Sequence, residues 1–156
     1  MARRDYEDNP GAPAANSPVP AASVVVVDEV SGRVLLQRRT DNGMWALPGG
    51  TMELGESIGA CGVRETREET GIEIVVTGIV GTYTDPSHVM AYDDGEVRQE
   101  FSICLLGRPV GGVLRTSDES SGVGWFTPEE SDGPAMVPSV RKRLTDWRGG
   151  GGPVVR

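Results

Sequence analysis

A glycine-rich loop that leads directly into a glutamate-rich helix constrains the fold of this chain more than any other feature. Ser57 suits the N-cap position and Gly71 the left-handed position that ends many helices, so the sequence predicts a helix over residues 58–70. Inside it, Gly59 and Gly62 each cost about 1 kcal/mol relative to alanine. Because propensity alone would not hold such a helix, we expect tertiary packing to stabilise it.

Three glutamates of this helix project from one face. Glu65, Glu68 and Glu69 stand at positions i, i+3 and i+4, which adjoin on a helix surface and repel by roughly 0.2–0.5 kcal/mol per pair. A glutamate-rich face is most often solvated surface. Here, however, a Pro-Gly-Gly loop and a further glutamate, Glu56, precede the helix. Since Mg²⁺ takes oxygen ligands and leaves room for phosphates, the cluster predicts a site for phosphate chemistry.

Apolar and β-branched runs on both sides of the helix predict a sheet. The four valines at 24–27 are typical of a strand buried on both faces. Strands are predicted over residues 23–27, 33–38, 73–82, 97–106 and 123–126, a single helical turn over 128–130, and an amphipathic helix over 139–147. Val140, Leu144 and Trp147 of that last helix could pack on the chain's own sheet or contribute to a homodimer interface.

The loop and the first helix together match a longer pattern. Gly50 is followed after five residues by Glu56, and after seven more by Arg64-Glu65, Glu68-Glu69 and Gly71-Ile72. Over residues 50–72 this resembles the Nudix box, G-x5-E-x7-R-E-U-x-E-E-x-G-U with U apolar, and every fixed position matches. Thr66 stands where the pattern has an apolar residue, although its methyl group can still pack. A looser similarity to MutT-type Nudix domains extends over residues 22–144.

The resemblance implies both a fold and a reaction. The fold is of the α/β (α+β) class, an α/β/α sandwich with a mixed β-sheet between helices. The reaction is hydrolysis of a nucleoside diphosphate linked to another moiety, as in ADP-ribose or a nucleoside triphosphate, with Mg²⁺ or Mn²⁺ as cofactor. In the Nudix family a proline about fifteen residues past the box tends to accompany ADP-ribose hydrolysis, and Pro86 lies at that distance from Gly71.

The resemblance also implies roles for individual residues. The metal ligands would be the carbonyl of Gly49 and the carboxylates of Glu65, Glu68, Glu69 and Glu119, the last lying six residues before Trp125. Arg64 would orient the carboxylates, Glu56 would brace the loop, and Gly50 and Gly71 would be structural. We expect Glu65, Glu68 and Arg64 to be the catalytic residues. The general base stays open among Glu65, Glu68, Glu96, Glu100 and Glu119, with Glu65 ranked first.

Residues outside the box are candidates for substrate binding. Arg38 and Arg39 stand at the end of the second predicted strand and could reach a terminal phosphate or ribose, although arginines at strand ends are more often surface charge. Tyr83 could stack on a base or simply pack in the core. His88 lies in a long predicted loop, where specificity residues are common, and could equally be an exposed histidine without a role. Glu100 completes this set.

Charge and histidine content limit the partners and the metal chemistry. The chain has 156 residues, with 15 Lys and Arg against 23 Asp and Glu and a formal net charge of −8. This acidity argues against binding a nucleic-acid polymer or an anionic membrane. A small nucleotide remains a possible partner, because a cation can lie between carboxylates and phosphates. As His88 is the only histidine, a metal site would be ligated by oxygen.

The length of the chain suits one domain, which we expect over residues 21–148. Residues 1–20 are rich in Pro, Ala and charge and predict a flexible tail, as do the glycine-rich residues 149–156. No apolar run is long enough to cross a bilayer or to form a secretory signal. Because Cys61 and Cys104 also form no paired motif, we expect a cytoplasmic protein.

Two other hypotheses compete with a hydrolase. A Nudix-like domain could bind a nucleotide or metabolite without cleaving it, as a regulatory module. The intact box favours the enzyme, because a binder has no need of a repulsive carboxylate cluster. A Ca²⁺ or scaffold site is less favoured, since the sequence contains no EF-hand loop and the Pro-Gly-Gly loop would go unexplained.

Overall fold

The computed structural model describes residues 2–133 and 135–156, so Met1 of the predicted tail and Pro134 of the predicted domain lie outside it. The first half contains β1 (Arg3–Glu7), β2 (Ser17–Pro18), β3 (Ala21–Val26), β4 (Val34–Arg39), β5 (Trp45–Ala46), β6 (Gly49–Thr51) and α1 (Ile58–Thr70). The second half contains β7 (Ile72–Tyr83), β8 (His88–Tyr92), β9 (Val97–Gln99), β10 (Ser102–Gly112), β11 (Ser120–Phe126), a 3-10 turn (Glu130–Asp132), α2 (Pro138–Arg148) and β12 (Val154–Val155).

A mixed sheet in the order β12-β7-β10-β3-β6 forms the centre of the fold. β3 runs parallel to β10 and β12 parallel to β7, whereas β10 is antiparallel to β7 and β6 to β3. A three-stranded sheet has the order β11-β4-β5, and a four-stranded sheet has the order β1-β8-β9-β2. No helix within the described ranges is long and apolar enough to cross a membrane.

The two helices pack on opposite faces of the central sheet. Val24 and Val26 of β3 belong to the buried cluster that contains Cys61 of α1. Val25 belongs to the other cluster, with Leu144 of α2. Because successive side chains of a strand alternate between faces, this division places the sheet between the helices. The expected α/β class with a mixed sheet between helices is confirmed.

Helix α1 has the predicted limits. Ser57 caps its start by accepting a hydrogen bond from the Ala60 amide at 3.1 Å. Gly71 ends it with φ of 81°, and its N–H donates to the Arg67 carbonyl. The side chain of Thr66 is fully buried, and its hydroxyl donates to the Gly62 carbonyl at 2.7 Å. The polar hydroxyl that replaces an apolar group at this position is therefore satisfied by a hydrogen bond within the helix.

Helix α2 packs on the chain's own sheet. Val140 and Leu144 are buried in one cluster with β3, β4 and β7 residues, and Trp147 packs against the same cluster. The structure shows these apolar residues packed within the chain, and the homodimer stays a prediction.

The two predicted tails contain paired strands. β1 pairs antiparallel with β8, in the register Arg3↔Tyr92. Near β2, the Val97 amide donates to Oδ1 of Asn16 at 2.9 Å. At the other end β12 pairs with β7, and the guanidinium of Arg156 lies 2.7 Å from Asp146. Both segments are paired through their backbones with strands that lie far along the chain, and such pairing cannot be predicted from composition.

Three predictions in the second half of the chain also differ from the structure. His88 begins strand β8 and does not lie in a long loop. The predicted strand over 97–106 is two strands, β9 and β10, which belong to different sheets. The predicted helical turn lies slightly later in the chain and is a 3-10 turn.

Candidate active site

A cavity of about 500 Å³, which we call the carboxylate cavity, adjoins β6 and α1. Its acidic lining residues are Asp41, Glu65, Glu69 and Glu119, and its basic lining residues are Arg3, Arg39 and Arg98. Gly49, Gly50, Thr51, Thr40 and Tyr92 complete the wall. The cavity therefore contains three guanidinium groups and four carboxyl groups, although the protein as a whole is acidic.

Glu65 and Glu69 form a close pair in this cavity. Glu69 is only 3% exposed, and the Gly49 amide donates to its Oε1 at 3.3 Å. Burial raises the pKa of Glu69, and the hydrogen bond and negative charge of Glu65 raise it further. Glu65 lies directly on Gly50, since a Cβ at that position would stand 2.5 Å from its Oε1. The glycine-rich strand therefore admits two carboxyl groups to one small volume.

Arg64 joins the glutamates of the loop and the helix. Its Nε and Nη2 donate to the two carboxylate oxygens of Glu56 at 2.9 and 2.8 Å. Its Nη1 donates to Glu65 at 2.9 Å and to Glu68 at 3.2 Å. The hydrogen bonds from Arg64, and then one from the backbone of Glu53, lower the pKa of Glu56 to about 2. The contacts are those that an orienting arginine and a loop-bracing glutamate would make.

Glu68 and Glu119 lie at different places from the Glu65–Glu69 pair. Glu68 is not a lining residue of the carboxylate cavity, and its side chain is 54% exposed. Glu119 lines the cavity, and its charge contributes to the raised pKa of Glu69 after burial and Glu65. Within residues 2–133 and 135–156, no three acidic, histidine or cysteine side chains converge closely enough to hold a metal ion.

The donor set nevertheless fits a hard cation. The buried carboxyl of Glu69 adjoins that of Glu65, and both would be neutralised by a divalent ion between them. The acidic lining residues offer carboxylate oxygens, the ligand type that Mg²⁺ prefers. A cation at this position would reduce the electrostatic repulsion between the glutamates of α1.

The two adjacent arginines are divided between the cavity and the surface. Arg39 lines the carboxylate cavity and pairs with Asp41 through Nη2 and Oδ2 at 2.5 Å. Arg38 is exposed, does not line the cavity, and donates from Nε to the Gly43 carbonyl at 2.8 Å. Because neighbouring residues of a strand point to opposite faces, only one of the two can face the cavity.

Tyr83, His88 and Glu100 belong to a buried cluster and do not line the carboxylate cavity. His88 is 8% exposed, contrary to the exposed alternative, and its Nδ1 lies 3.3 Å from Glu100. Arg143 donates to Glu100 at 2.8 Å and stacks over the Tyr83 ring at 4.4 Å. The hydroxyl of Tyr83 donates to Asp146 at 2.9 Å. All three line a cavity of about 120 Å³, and His88 and Glu100 also line one of about 160 Å³.

Sequence reasoning missed several lining residues of the carboxylate cavity. Arg3, Asp41, Tyr92 and Arg98 all line it, and the guanidinium of Arg98 lies 4.5 Å from the centre of the Tyr92 ring. Arg3, Tyr92 and Arg98 come from strands that are distant in sequence from the box, and Asp41 comes from the turn nine residues before Gly50. A spacing pattern along one segment carries no signal for them.

Comparisons with known proteins identify the family of the chain. The family model of the NUDIX domain matches residues 17–148. The chain is 41% identical over 139 residues to a MutT-like protein of Streptomyces ambofaciens, covering 88% of this chain and 81% of that one. It is 31% identical over 130 residues to a protein of Bacillus subtilis described as a candidate 8-oxo-dGTP diphosphatase, covering 83% and 79%.

A solved structure shares the fold. The structure of a NUDIX hydrolase from Nitrosomonas europaea matches with a TM-score of 0.71 and 20% identity, covering 88% of this chain and 93% of that chain. The domain match covers most of the chain and includes the loop, the helix and the lining residues of the carboxylate cavity apart from Arg3. The chain therefore belongs to the NUDIX family and is a Nudix hydrolase.

Proposed function

We propose that this Nudix hydrolase is a metal-dependent pyrophosphohydrolase that cleaves a nucleoside diphosphate linked to another moiety. The carboxylate cavity is the proposed place of reaction. The observation that carries the proposal is the Glu65–Glu69 pair, one member of which is almost fully buried in a cavity that also contains three arginines. Carboxylates suit a cation and guanidinium groups suit phosphate oxygens, so one cavity offers partners for both.

The proposed cation is Mg²⁺, for which Mn²⁺ can substitute. The Glu65–Glu69 pair and the carbonyl of Gly49 would hold it. Glu119, which lines the same cavity, and the exposed Glu68 stay predicted ligands, because neither converges with the pair in the structure. A divalent cation bound here supplies neutralisation of the phosphate oxygens and acidification of a water molecule.

Side chains of the protein orient the proton acceptor and take up the proton. Glu65 is our first choice as the group that takes a proton from the attacking water. Arg64 fixes its Oε1 by a hydrogen bond of 2.9 Å, and Gly50 lets it lie close to the loop backbone. As water oxygen bonds to phosphorus, the bond from phosphorus to the bridging oxygen breaks, and the leaving phosphate carries the charge away. Arg39 and Arg98 would stabilise this charge.

Two substrate classes fit the proposed reaction. A nucleoside triphosphate accords with the description of the Bacillus subtilis relative. ADP-ribose accords with the position of Pro86 after the box. The cytoplasm, where such nucleotides are abundant, is the proposed location, and the buried free thiols of Cys61 and Cys104 are compatible with it.

Product analysis tests the proposal. The protein is incubated with Mg²⁺, and separately with Mn²⁺, against nucleoside triphosphates including 8-oxo-dGTP, ADP-ribose, NADH, nucleotide sugars and dinucleoside polyphosphates. We expect one class to be cleaved at a phosphoanhydride bond, and Glu65→Gln to lower kcat by about a hundredfold or more. Glu73→Gln is the matched control, because Glu73 lies just past the helix and outside the cavity. Binding without cleavage of any substrate would favour the regulatory-module alternative and overturn the proposal.

A further inference from the structure

The N-terminal strand contributes a face to the carboxylate cavity. In β1, Arg3 pairs with Tyr92 and Asp5 with Met90, and Met90 pairs in turn with Arg98 of β9. Because cross-strand partners point to the same side of a sheet, these five side chains share one face. Arg3, Tyr92 and Arg98 line the carboxylate cavity, and all five line the adjoining cavity of about 160 Å³.

Arg3 has hydrogen-bonding capacity left for a ligand. Its Nε donates to Asp5 at 2.7 Å, and its side chain is 26% exposed. Across the part of the chain that the structure describes, neither Nη of Arg3 donates a hydrogen bond. The Arg39 hydrogen bond is the main cause of the lowered pKa of Asp41, and the charge of Arg3 adds to it. Arg3, Arg39 and Asp41 also line the same carboxylate cavity, so one ligand bound there can contact both arginines.

We propose that β1 is part of the substrate-binding site and that Arg3 donates through its Nη groups to a phosphate of the bound nucleotide. This inference rests on the proposed function. A guanidinium presents two parallel N–H donors that match two phosphate oxygens. Asp5 holds the guanidinium from its Nε side, which leaves the Nη side for the phosphate. The N-terminal segment is then a specificity element for the anionic part of the substrate.

Arg4 provides a matched control in the same strand. It is exposed, faces the other side of β1, and lines neither cavity. Its electrostatic partners are Tyr6 and Asp93. A non-specific effect of lost positive charge, or of a weakened strand, would affect Arg3 and Arg4 variants alike, whereas a phosphate contact would affect only Arg3.

Titration calorimetry with α,β-methylene-ADP in Mg²⁺ buffer tests the proposal, because the methylene bridge prevents cleavage between the phosphorus atoms. We expect Arg3→Gln to weaken binding by about tenfold, Arg3→Lys to weaken it less, and Arg4→Gln to change it by less than about twofold. If the wild-type protein binds and Arg3→Gln binds equally well, this proposal is overturned while the proposed function stands. If the wild-type protein does not bind the probe, the proposal about Arg3 is overturned, whereas the proposed function is still decided separately by the product analysis.

A double variant separates a direct contact from repulsion by an unmasked Asp5. Arg3→Gln with Asp5→Asn removes both charges. Binding that stays weak supports the direct contact, and recovery to the wild-type affinity overturns it.

In turnover, Arg3→Gln should raise KM while kcat stays within about threefold of the wild type, and thermal unfolding should show a folded variant. A fall in kcat with unchanged KM would also contradict the proposal. Should Arg3→Gln not fold, Arg3→Lys carries the test, because loss of the planar fork weakens a bidentate contact.

Discussion

Glu100→Gln perturbs the buried ionic cluster that joins the β9–β10 connection to α2. Glu100 and Arg143 lie 2.8 Å apart, and their side chains are only 8% and 7% exposed. Removing one partner of a buried pair leaves an uncompensated charge and costs about 3–5 kcal/mol. Because glutamine keeps an acceptor oxygen for Arg143, we expect the low end, a loss of about 3 kcal/mol in the free energy of unfolding.

The effect should depend on pH. Although burial opposes it, hydrogen bonding from His88 and the charge of Arg143 lower the pKa of Glu100 below its ordinary value of 4.5. A carboxyl with a lowered folded-state pKa stabilises the protein above the unfolded value and loses this contribution as pH falls through the folded value. The difference between wild type and variant should therefore be full at pH 7 and should shrink below pH 4.5.

Urea unfolding followed by tryptophan fluorescence measures this difference. Glu73→Gln is the control, because its pair with Arg67 is 3.9 Å long with both side chains roughly half exposed, and such a surface pair is worth about 0.5 kcal/mol or less. A loss below about 1 kcal/mol for Glu100→Gln at pH 7 would refute the reasoning. So would a loss of equal size at pH 7 and pH 3.5, which would show that the charge of Glu100 is not its source.

The remaining predictions concern three glycines and one acidic side chain. Gly62→Ala should destabilise the protein by about 1–3 kcal/mol, because its Cβ would stand 2.9 Å from a core leucine methyl. Gly59→Ala should stabilise it by about 0.5–1 kcal/mol, because the nearest described atom to its Cβ is 3.9 Å away. Scanning calorimetry compares the two variants, and equal shifts in melting temperature would contradict the packing. Gly50→Ala should lower kcat in steady-state assays, because the new Cβ displaces the carboxylate of Glu65; an unchanged kcat would show that this contact has no part in turnover. The pKa of Glu56 is lowered from 4.5 to about 2, so its ionisation stabilises the protein above pH 4.5. Acid titration of the wild type should show this contribution disappearing as the pH falls to about 2. Glu56→Gln should not show this loss.

Helix α1 and its charge cluster could be predicted because their signals are local. The N-cap at Ser57, the left-handed stop at Gly71 and the spacing of the glutamates all lie within a few residues of what they determine. Spacing alone could not decide which glutamates enter the cavity. Glu68 and Glu69 share a helix face, yet the rotation of the helix against the sheet buries Glu69 and leaves Glu68 exposed.

The strands at both ends of the chain could not be predicted, because their partners are remote. Arg3 pairs with Tyr92, and Val154 with Gly81. Pairing of this kind depends on which strand edge lies free in the folded sheet, which neither periodicity nor composition reports. The substrate roles predicted for His88 and Glu100 stay predictions, although the structure places both side chains in a buried ionic cluster.

The dependence of turnover on Mg²⁺ concentration tests the central claim most directly, that the Glu65–Glu69 pair holds the cation on which hydrolysis depends. It is measured for the wild type and for Glu69→Gln with the substrate that the product analysis identifies. We expect no turnover in the wild type after chelation of divalent ions. In Glu69→Gln we expect the Mg²⁺ concentration for half-maximal rate to rise by at least about tenfold. Turnover that survives chelation, or a variant with the same Mg²⁺ dependence as the wild type, would contradict the account.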